Sequence, residues 1–289
     1  MYSDAIQALG EQAAAKLDQQ RRSLLGHFVR SMLAGMYVGA AIVLIFTVGG
    51  LLSKAAPGTE RILMGVCFGG ALTMVVFAGS ELFTGSNLVL TLGVLTRRAS
   101  PGDLAANWVW TWLGNLAGSA LLAIMIGYSG LFDDDPIRSF VVNLSAKKMN
   151  LPAIQLFLRA VLANWLVCLG VWMAARAKSD TAKILLIWWC MFTFITSGFE
   201  HCIANMCGLM IGLLLPHPET VTWGGYVYNL ALATLGNVVG GALFVAGAYW
   251  LGSPSTRAQV RLTRATAEPC ANGHAPANEP LPVLVSTKG

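Results

Sequence analysis

The sequence predicts an all-α membrane protein with six transmembrane helices, arranged as two inverted halves of three helices each. Hydrophobic residues make up 55% of the 289 residues, charged residues only 11%, and the mean hydropathy is +0.62. Soluble domains carry about 25% charged residues, so the low charge indicates a chain that lies mostly in lipid. Six long apolar segments give the number of helices, and motifs shared by the two halves indicate the repeat.

An amphipathic helix is predicted before the first apolar segment. Within residues 2–20, Ile6, Leu9, Ala13 and Leu17 recur at helical spacing on one face. Such a helix lies on the membrane surface or against the bundle, or it is an ordinary solvent-exposed helix. No basic region followed by a short apolar stretch is found at this end, so no cleaved signal peptide is predicted.

Six apolar segments follow, each with at least the ~20 residues that a helix needs to cross a bilayer. Their approximate limits are 28–52, 62–96, 104–129, 152–176, 183–215 and 223–252. The second and fifth would each measure about 50 Å as one helix, against a hydrocarbon core of about 30 Å. Each contains a polar stretch, from Gly79 to Asn87 and from Gly198 to Asn205. We expect two broken helices; the alternative is one full span followed by an ordinary loop.

The distribution of Lys and Arg predicts the orientation of the chain. Most of these residues fall in segments that are cytoplasmic if the N-terminus is inside, as the positive-inside rule requires. The C-terminal residues are rich in Pro, Ala, Asn, Thr and Gly without an apolar period, which is typical of disorder. The predicted domains are an N-terminal cytoplasmic helix, a six-helix transmembrane domain and a disordered cytoplasmic tail, at residues 1–25, 26–252 and 253–289.

Two short motifs occur once in each half of the chain. Gly-x-Glu is found at 79–81 and 198–200, and Leu-Gly-Asn-x-x-Gly at 113–118 and 235–240. Each half therefore has a simple span, a broken span and a span with the second motif. Because three spans is an odd number, the second half must be inverted relative to the first. Inverted repeats with broken helices at equivalent positions indicate a transport site near the middle of the membrane.

Ionisable residues lie at both breaks, Glu81 in the first and Glu200 with His201 in the second. Such groups are costly inside a membrane and usually face a cavity or a transport path. Helices that restart after Asn87 and Asn205 would aim free N–H groups and positive dipole ends at the centre, which favours a small anion. His201 can donate to this anion or exchange a proton with it; alternatively, it is a satisfied core residue beside Glu200. The glutamates would repel an anion, so we expect them to accept backbone N–H bonds at the breaks.

Other chemistries have little support in the sequence. No basic stripe with interleaved aromatic residues indicates binding to nucleic acid. The spacing of His201, Cys202 and Cys207 fits no zinc pattern, so neither a metal nor another cofactor is predicted. Most of the cysteines lie in apolar segments, where we expect small packing residues.

Four motifs resemble those of the formate/nitrite transporter family, and they occur in the family's order over about residues 2–252. The motifs are AGSELFTG, NWLVCL, SGFEHCIANM and LGN, at 78–85, 164–169, 197–206 and 235–237. The third is highly specific, although Cys202 stands where the family commonly has Ser. The stretches at 187–190 and 111–115 are more similar to the bacterial nitrite channels than to the formate channels.

The resemblance implies an aquaporin-like protomer of six helices, with one pore in each protomer of a homopentamer. It makes His201 the central pore histidine and Thr84 its hydroxyl partner across the pore. Asn164 and Asn205 would supply amide donors near this centre. Lys148 would raise the electrostatic potential in the outer vestibule; the adjacent Lys147 is the alternative for this role.

Two apolar constrictions are also implied, one on each side of the central histidine. By position, the outer constriction would consist of Phe68 and Phe194, and the inner one of Leu72, Leu82 and Val167. The expected substrates are small monovalent anions, with nitrite the main one and formate and hydrosulfide of similar size. Protons are a further expected partner, since passage is either passive or proton-linked.

The same resemblance implies a multi-pass protein of the bacterial inner membrane, with both termini cytoplasmic, a role in nitrate assimilation and no enzymatic activity. The shared fold also suits a channel for water or small neutral solutes, although the paired Asn-Pro-Ala signature of aquaporins is missing. A membrane-anchored enzyme or haem protein would need paired axial histidines. Only His27 and His201 are candidates, and His27 lies at the end of a span.

Overall fold

The chain folds into a bundle of α-helices. The computed structural model describes residues 2–267, with side chains up to residue 260, and no β-strand occurs within this range. A π-helical stretch, Ala242–Gly247, joins the eleventh helix to the twelfth. The helices are α1 (Ser3–Arg22), α2 (Leu24–Ala55), α3 (Glu60–Phe68), α4 (Gly70–Phe77), α5 (Phe83–Leu95), α6 (Pro101–Gly127), α7 (Ile137–Met149), α8 (Ala153–Arg176), α9 (Asp180–Ser197), α10 (Cys202–Leu214), α11 (Trp223–Gly241), α12 (Ala248–Leu251) and α13 (Pro254–Ala267).

Five helical stretches of the described chain are long and apolar enough to cross a bilayer. A sixth is formed by α9 and α10 together, whose axes are bent by 50° at the break between them. The five are Leu24–Ala55, Glu60–Phe77, Pro101–Gly127, Ala153–Arg176 and Trp223–Leu251. Their limits and those of the bent pair agree with the predicted apolar segments to within a few residues, except that the second stretch ends at Phe77 and the rest of segment 62–96 is the shorter helix α5. The predicted all-helical membrane protein is confirmed, and five to six of the six predicted spans are found among the described residues.

Non-helical backbone follows α4 and α9 at the two Gly-x-Glu motifs. Residues 78–82 separate α4 from α5, and residues 198–201 separate α9 from α10. Gly79 and Gly198 have φ angles of 72° and 75°. This is the left-handed region, which residues with a Cβ atom adopt only at a cost. Glycine therefore allows the chain to leave one helix and begin the next at both places.

Asn115, on α6, holds the first of these breaks in place. Its Nδ2 donates to the main-chain oxygens of Ser31 at 2.7 Å and Glu81 at 2.8 Å, and its Oδ1 accepts from the main-chain N–H of Phe83 at 2.9 Å. One buried amide thus satisfies main-chain groups that the non-helical stretch between α4 and α5 leaves without helical partners. The N–H of Glu81 is in turn bonded to the main-chain oxygen of Arg30 at 3.2 Å.

Asn237, on α11, does the same at the second break. Its Nδ2 donates to the main-chain oxygens of Ala160 at 2.7 Å and Glu200 at 3.1 Å, and its Oδ1 accepts from the N–H of Cys202 at 2.9 Å. The N–H of Glu200 binds the main-chain oxygen of Arg159 at 3.2 Å. The three bonds of Asn115 and the main-chain bond of Glu81 therefore each have a counterpart at the second break.

Glycines bring α6 against α2, and α11 against α8, at backbone distance. A Cβ atom on Gly118 would lie 1.9 Å from the main-chain oxygen of Met32, and one on Gly240 would lie 2.2 Å from that of Val161. Lipid gives helices no hydrophobic reason to associate, so close packing of this kind is a main source of their stability. The glycines of the Leu-Gly-Asn-x-x-Gly motif are packing residues in both halves.

The N-terminal helix lies against the bundle. Ile6, Leu9, Ala13 and Leu17 are all buried, in a cluster with residues of α5, α8 and the π-helical stretch. The apolar stripe of α1 therefore faces protein, and α1 packs against α5.

A helix that the sequence does not predict, α7, lies between α6 and α8. Val141, Ser145 and Met149 are buried at four-residue spacing and give this helix one inward face. Its 13 residues are too few and too polar to resemble a span, which is why a loop is expected there. The helix matters because its last turn carries Lys147 and Lys148.

Residues 254–267 form α13, although the sequence predicts a disordered tail from residue 253. Pro254 occupies the first helical position, where its missing N–H is not needed. Thr256 donates from Oγ1 to Oγ of Ser3 at 2.9 Å, a contact with α1 that composition alone cannot reveal. The rest of the predicted tail, residues 268–289, lies outside the described residues.

Candidate functional site

His201 and Thr84 meet where the second helices of the two breaks begin. Nε2 of His201 lies 2.9 Å from Oγ1 of Thr84. Thr84 is in the first turn of α5, and His201 is the N-cap residue of α10. Both side chains are buried, with 0% and 4% of their surfaces exposed. The structure thus joins two residues that are 117 positions apart in the sequence.

The hydrogen bonds of His201 define its tautomer. Nδ1 accepts from the main-chain N–H of Ala204 at 3.1 Å, which caps α10. A nitrogen that accepts carries no proton, so the ring is neutral in this arrangement and its proton sits on Nε2. Nε2–H then donates to Oγ1 of Thr84, and the hydroxyl hydrogen of Thr84 remains free for another acceptor. Protonation of Nδ1 would require this cap to open.

The two helix N-termini are directed at the same point. α5 begins at Phe83, after Leu82, and α10 begins at Cys202, after His201. The His201–Thr84 contact brings these two ends together. Each end carries roughly half a positive charge from the helix dipole, although the first N–H of each helix is bonded to Asn115 or Asn237. Their meeting point is therefore a favourable place for negative charge.

Two cavities approach this contact from different sides. The first, here the Lys148 cavity, has a volume of about 290 Å³ and is lined by His201 and Phe194 among others. The second, the Lys16 cavity, has a volume of about 440 Å³ and is lined by Leu72 and Leu82 among others. The two cavities share no lining residue, and His201 lines the first but not the second.

Buried apolar side chains lie beside the histidine and along the walls of the two cavities. The rings of Phe68 and Phe194 pack edge to face with centroids 5.6 Å apart, and the ring of Phe194 lies 5.8 Å from that of His201. Leu72 and Leu82 face the Lys16 cavity. All five residues of the predicted constrictions are at most 5% exposed; they are Phe68, Phe194, Leu72, Leu82 and Val167.

Lys148, the predicted vestibule lysine, is paired with a carboxylate in its cavity. Its Nζ lies 2.8 Å from each carboxylate oxygen of Glu200 and 3.2 Å from Oδ1 of Asn205. Glu200 is 3% exposed at its side chain and Lys148 is 21% exposed. Because the two charges cancel nearly completely at this distance, the ammonium contributes a local dipole more than a net positive charge.

Lys16 and Glu81 form the corresponding ion pair in the other cavity. The ammonium of Lys16, on α1, donates to Oε2 of Glu81 at the end of the first break. The side chains are 17% and 6% exposed. Sequence reasoning missed Lys16 as a site residue, although it interrupts the apolar stripe of α1 and so could have been noticed. Both glutamates accept from lysines, and not from the backbone N–H groups expected as their partners; the asparagines described above bind the backbone instead.

Asn164 and Asn205, the predicted amide donors near the pore centre, both donate to protein acceptors. Nδ2 of Asn164 lies 2.9 Å from Oδ1 of Asn87, 2.6 Å from the main-chain oxygen of Asn237 and 3.3 Å from that of Thr84. Asn164 is buried and lines neither cavity. Its amide therefore fixes the position of Thr84 relative to α8 and α11.

Asn205 does face the Lys148 cavity. Its Nδ2 donates to Oε2 of Glu200 at 2.7 Å and to Oδ1 of Asn229 at 2.8 Å, so both of its hydrogens are used. Within residues 2–267, no group of three or more His, Cys, Asp or Glu side chains is close enough to hold a metal ion.

Comparisons with known proteins identify relatives over nearly the whole chain. A sequence model described as "Formate/nitrite transporter" matches residues 3–251. The "Nitrite transporter NirC" of Salmonella typhimurium is 42% identical over 258 residues, which cover 89% of this chain and 94% of that protein.

Solved structures agree with this assignment. A structure titled "FNT family ion channel" superimposes with a TM-score of 0.82 at 42% identity, covering 87% of this chain and 99% of the other. A "Pentameric formate channel with formate bound" gives a TM-score of 0.71 at 30% identity, covering 80% and 98%. The fold and the apolar helices define a multi-pass membrane protein of the channel and transporter class. The chain belongs to the formate/nitrite transporter family.

Proposed function

We propose that this protein transports a small monovalent anion, with nitrite as its main substrate, across the bacterial inner membrane through a pore in each protomer. The names of its relatives support nitrite and, secondarily, formate. The similar structure titled as a pentameric formate channel supports a homopentamer. The positive-inside distribution of Lys and Arg supports cytoplasmic termini, so the Lys16 cavity would be the inner vestibule and the Lys148 cavity the outer one.

The single observation that carries this proposal is the meeting of two helix N-termini at the His201–Thr84 contact. Two positive helix ends, an N–H donor on His201 and a free hydroxyl hydrogen on Thr84 converge on one point inside apolar walls. An anion there would find hydrogen-bond donors without a full positive charge to trap it. A cation would meet the wrong sign of potential.

An inverted repeat of three plus three spans is part of the proposal. It is supported by the matched bonds of Asn115 and Asn237, the matched glycine contacts and the two lysine–glutamate pairs. The bond from Nε1 of Trp112 to Oγ1 of Thr234, at 3.0 Å, joins the equivalent turns of α6 and α11, as expected where a pseudo-two-fold axis passes. The broken second and fifth spans would then bring α5 and α10 to the middle of the membrane.

Passage would occur in three steps. The dipoles of the lysine–glutamate pairs and the helix ends attract the anion into either vestibule. The Phe68–Phe194 pair, or the Leu72, Leu82 and Val167 layer on the other side, removes most of its water. His201 then donates its Nε2–H to the anion in place of Thr84. Proton transfer to the anion requires the imidazolium: the cap from Ala204 opens, Nδ1 takes up a proton from vestibule water, and the Nε2 proton then passes to the anion. This leaves a neutral ring, the neutral acid crosses the apolar layer, and exchange with water restores the Nε2–H tautomer.

Nitrite influx into proteoliposomes tests the proposal. Liposomes containing the purified protein should take up nitrite well above the rate of empty liposomes, and formate should compete. Swelling in water and glycerol is measured in the same preparation. Nitrite influx at the rate of empty liposomes would overturn the assignment, and rapid swelling in its place would support a channel for neutral solutes.

A further inference from the structure

The Lys148 cavity holds cationic side chains that no part of the proposed passage uses. Four cations and two carboxylates line it: Arg61, Lys147, Lys148, Arg159, Glu60 and Glu200. Lys148 and Glu200 neutralise each other. Among the described residues, Arg61, Lys147 and Arg159 have no ion-pair partner, and their guanidinium and ammonium groups make no side-chain hydrogen bond. Glu60 alone opposes them, so the cavity keeps an excess of positive charge.

Arg61 lines this cavity beside the loop that carries the histidine. A Cβ atom on Gly198 would lie 2.2 Å from Nη2 of Arg61 and 3.3 Å from its Cζ. The guanidinium therefore lies directly against Gly198, in the loop that leads to His201. Glycine at this position provides the positive φ of the turn and also leaves room for the guanidinium.

The other cavity has no equivalent group. A Cβ atom on Gly79 would meet nothing within 4 Å. Both cations that line the Lys16 cavity, Lys16 and Lys183, are paired with Glu81 and Asp180. Lysine–glutamate pairs thus occur on both sides. Arg30, whose main-chain oxygen is the counterpart of that of Arg159, also has no ion-pair partner, but it does not line the Lys16 cavity. Unpaired arginines therefore line the Lys148 cavity and not the Lys16 cavity.

We propose that Arg61, together with Arg159 and Lys147, forms a binding site for a planar anion with two oxygens in the Lys148 cavity, ahead of Phe194. The identity of the ligand rests on the proposed function. A guanidinium binds two oxygens of one group through parallel N–H bonds, a geometry that nitrite and formate offer. Hydrosulfide has one acceptor atom and cannot use it. The site therefore favours nitrite and formate over hydrosulfide, and it favours uptake from the Lys148 side at low concentration.

The kinetic test replaces Arg61 without changing the path beyond it. In cells that express the protein, Arg61→Gln should raise the external nitrite concentration that gives half-maximal uptake by roughly tenfold, with the maximal rate within about twofold. Arg61→Lys should retain the charge but lose much of the preference for nitrite over hydrosulfide. Glu60→Gln should lower the half-saturating concentration. Arg138→Gln, a matched control on an exposed cation that does not line the cavity, should leave it unchanged.

A binding test that needs no transport separates this inference from the proposed function. Phenylglyoxal modifies accessible arginines, and mass spectrometry of peptides gives the rate at each site. At constant ionic strength, nitrite replacing gluconate should slow modification at Arg61 several-fold and leave Arg138 unaffected. Equal rates with and without nitrite would overturn the site even if nitrite is transported. Protection without any nitrite uptake would support the site and contradict the proposed function.

A second variant covers the case in which Arg61→Gln does not fold. Arg159→Gln must then give the same rise in the nitrite concentration for half-maximal uptake, or the site is wrong.

Discussion

At the scale of single residues, His201 combines two tasks in one ring. Nδ1 caps α10 through the N–H of Ala204, and Nε2 donates to Thr84. The cap keeps the donor hydrogen on the nitrogen that faces Thr84. The sequence shows that a histidine lies at the break, but not which nitrogen would be bonded, because the tautomer depends on the local backbone.

Thr84→Val tests the hydroxyl in this arrangement. The substitution keeps the shape of the side chain and leaves Nε2–H of His201 without its partner, so the neutral ring loses a bond and the anion loses a donor. We expect nitrite influx in proteoliposomes to fall about tenfold, which corresponds to about 1.4 kcal/mol. Thr84→Ser should restore most of the rate, and a Val variant as fast as the wild type would contradict this role.

Lys148→Met tests whether the ammonium is needed by Glu200. It would leave a carboxylate that is 3% exposed without its counter-ion, a change that costs about 3–5 kcal/mol at buried pairs. The thermal unfolding temperature in detergent should therefore drop strongly. The double variant Lys148→Met/Glu200→Gln should recover part of the loss. If the double variant is no more stable than Lys148→Met, the pair is not the reason for the effect.

At the scale of helices, each half is held together by the same set of contacts. Glycines on α6 and α11 admit the backbones of α2 and α8, and one asparagine on each of α6 and α11 binds the break of the same half. Glycine spacing in the sequence indicates close helix packing, but it does not name the partner helices. The hydrogen-bond partners of the asparagine in the Leu-Gly-Asn-x-x-Gly motif cannot be predicted from the sequence, because they are main-chain groups that only the fold brings beside it.

Gly118→Ala tests this packing. Its added methyl group would lie 1.9 Å from the main-chain oxygen of Met32, so α6 and α2 would have to separate. We expect a loss of about 1–3 kcal/mol of stability, as for overpacking in general, seen as a lower unfolding temperature and less assembled protein on size exclusion. Gly70→Ala is the matched control, because nothing lies within 4 Å of its added atom. Equal effects of the two substitutions would contradict the packing argument.

At the scale of the molecule, apolar content predicts the spans and the polar breaks predict where helices stop. The lysine–glutamate pairs could not be predicted, because they join residues 65 and 52 positions apart on separate helices. α7 was missed because a short helix with one buried face resembles a loop in composition. Asn164 shows the same limit, since an amide near the centre can face a substrate or the protein, and only the fold decides.

The assembly is tested by native mass spectrometry of the purified protein. Five protomers of 30.7 kDa would give a complex of about 150 kDa. We expect this mass to be the main species under mild detergent removal, with single protomers released only at high collision energy. A main species at two, three or four protomers would contradict the proposed homopentamer without affecting the site within each protomer.

The most direct test of the central claim is the pH dependence of nitrite influx through wild-type protein and His201→Asn, at equal protein content, after subtraction of empty liposomes. Asn still caps a helix, so α10 should begin as before, but the imidazole and its exchangeable proton are gone. We expect nitrite influx through the wild type to rise as the external pH falls. In His201→Asn, we expect this pH dependence to be lost or the rate of nitrite influx to change. Identical rates and identical pH profiles would show that the anion does not pass His201.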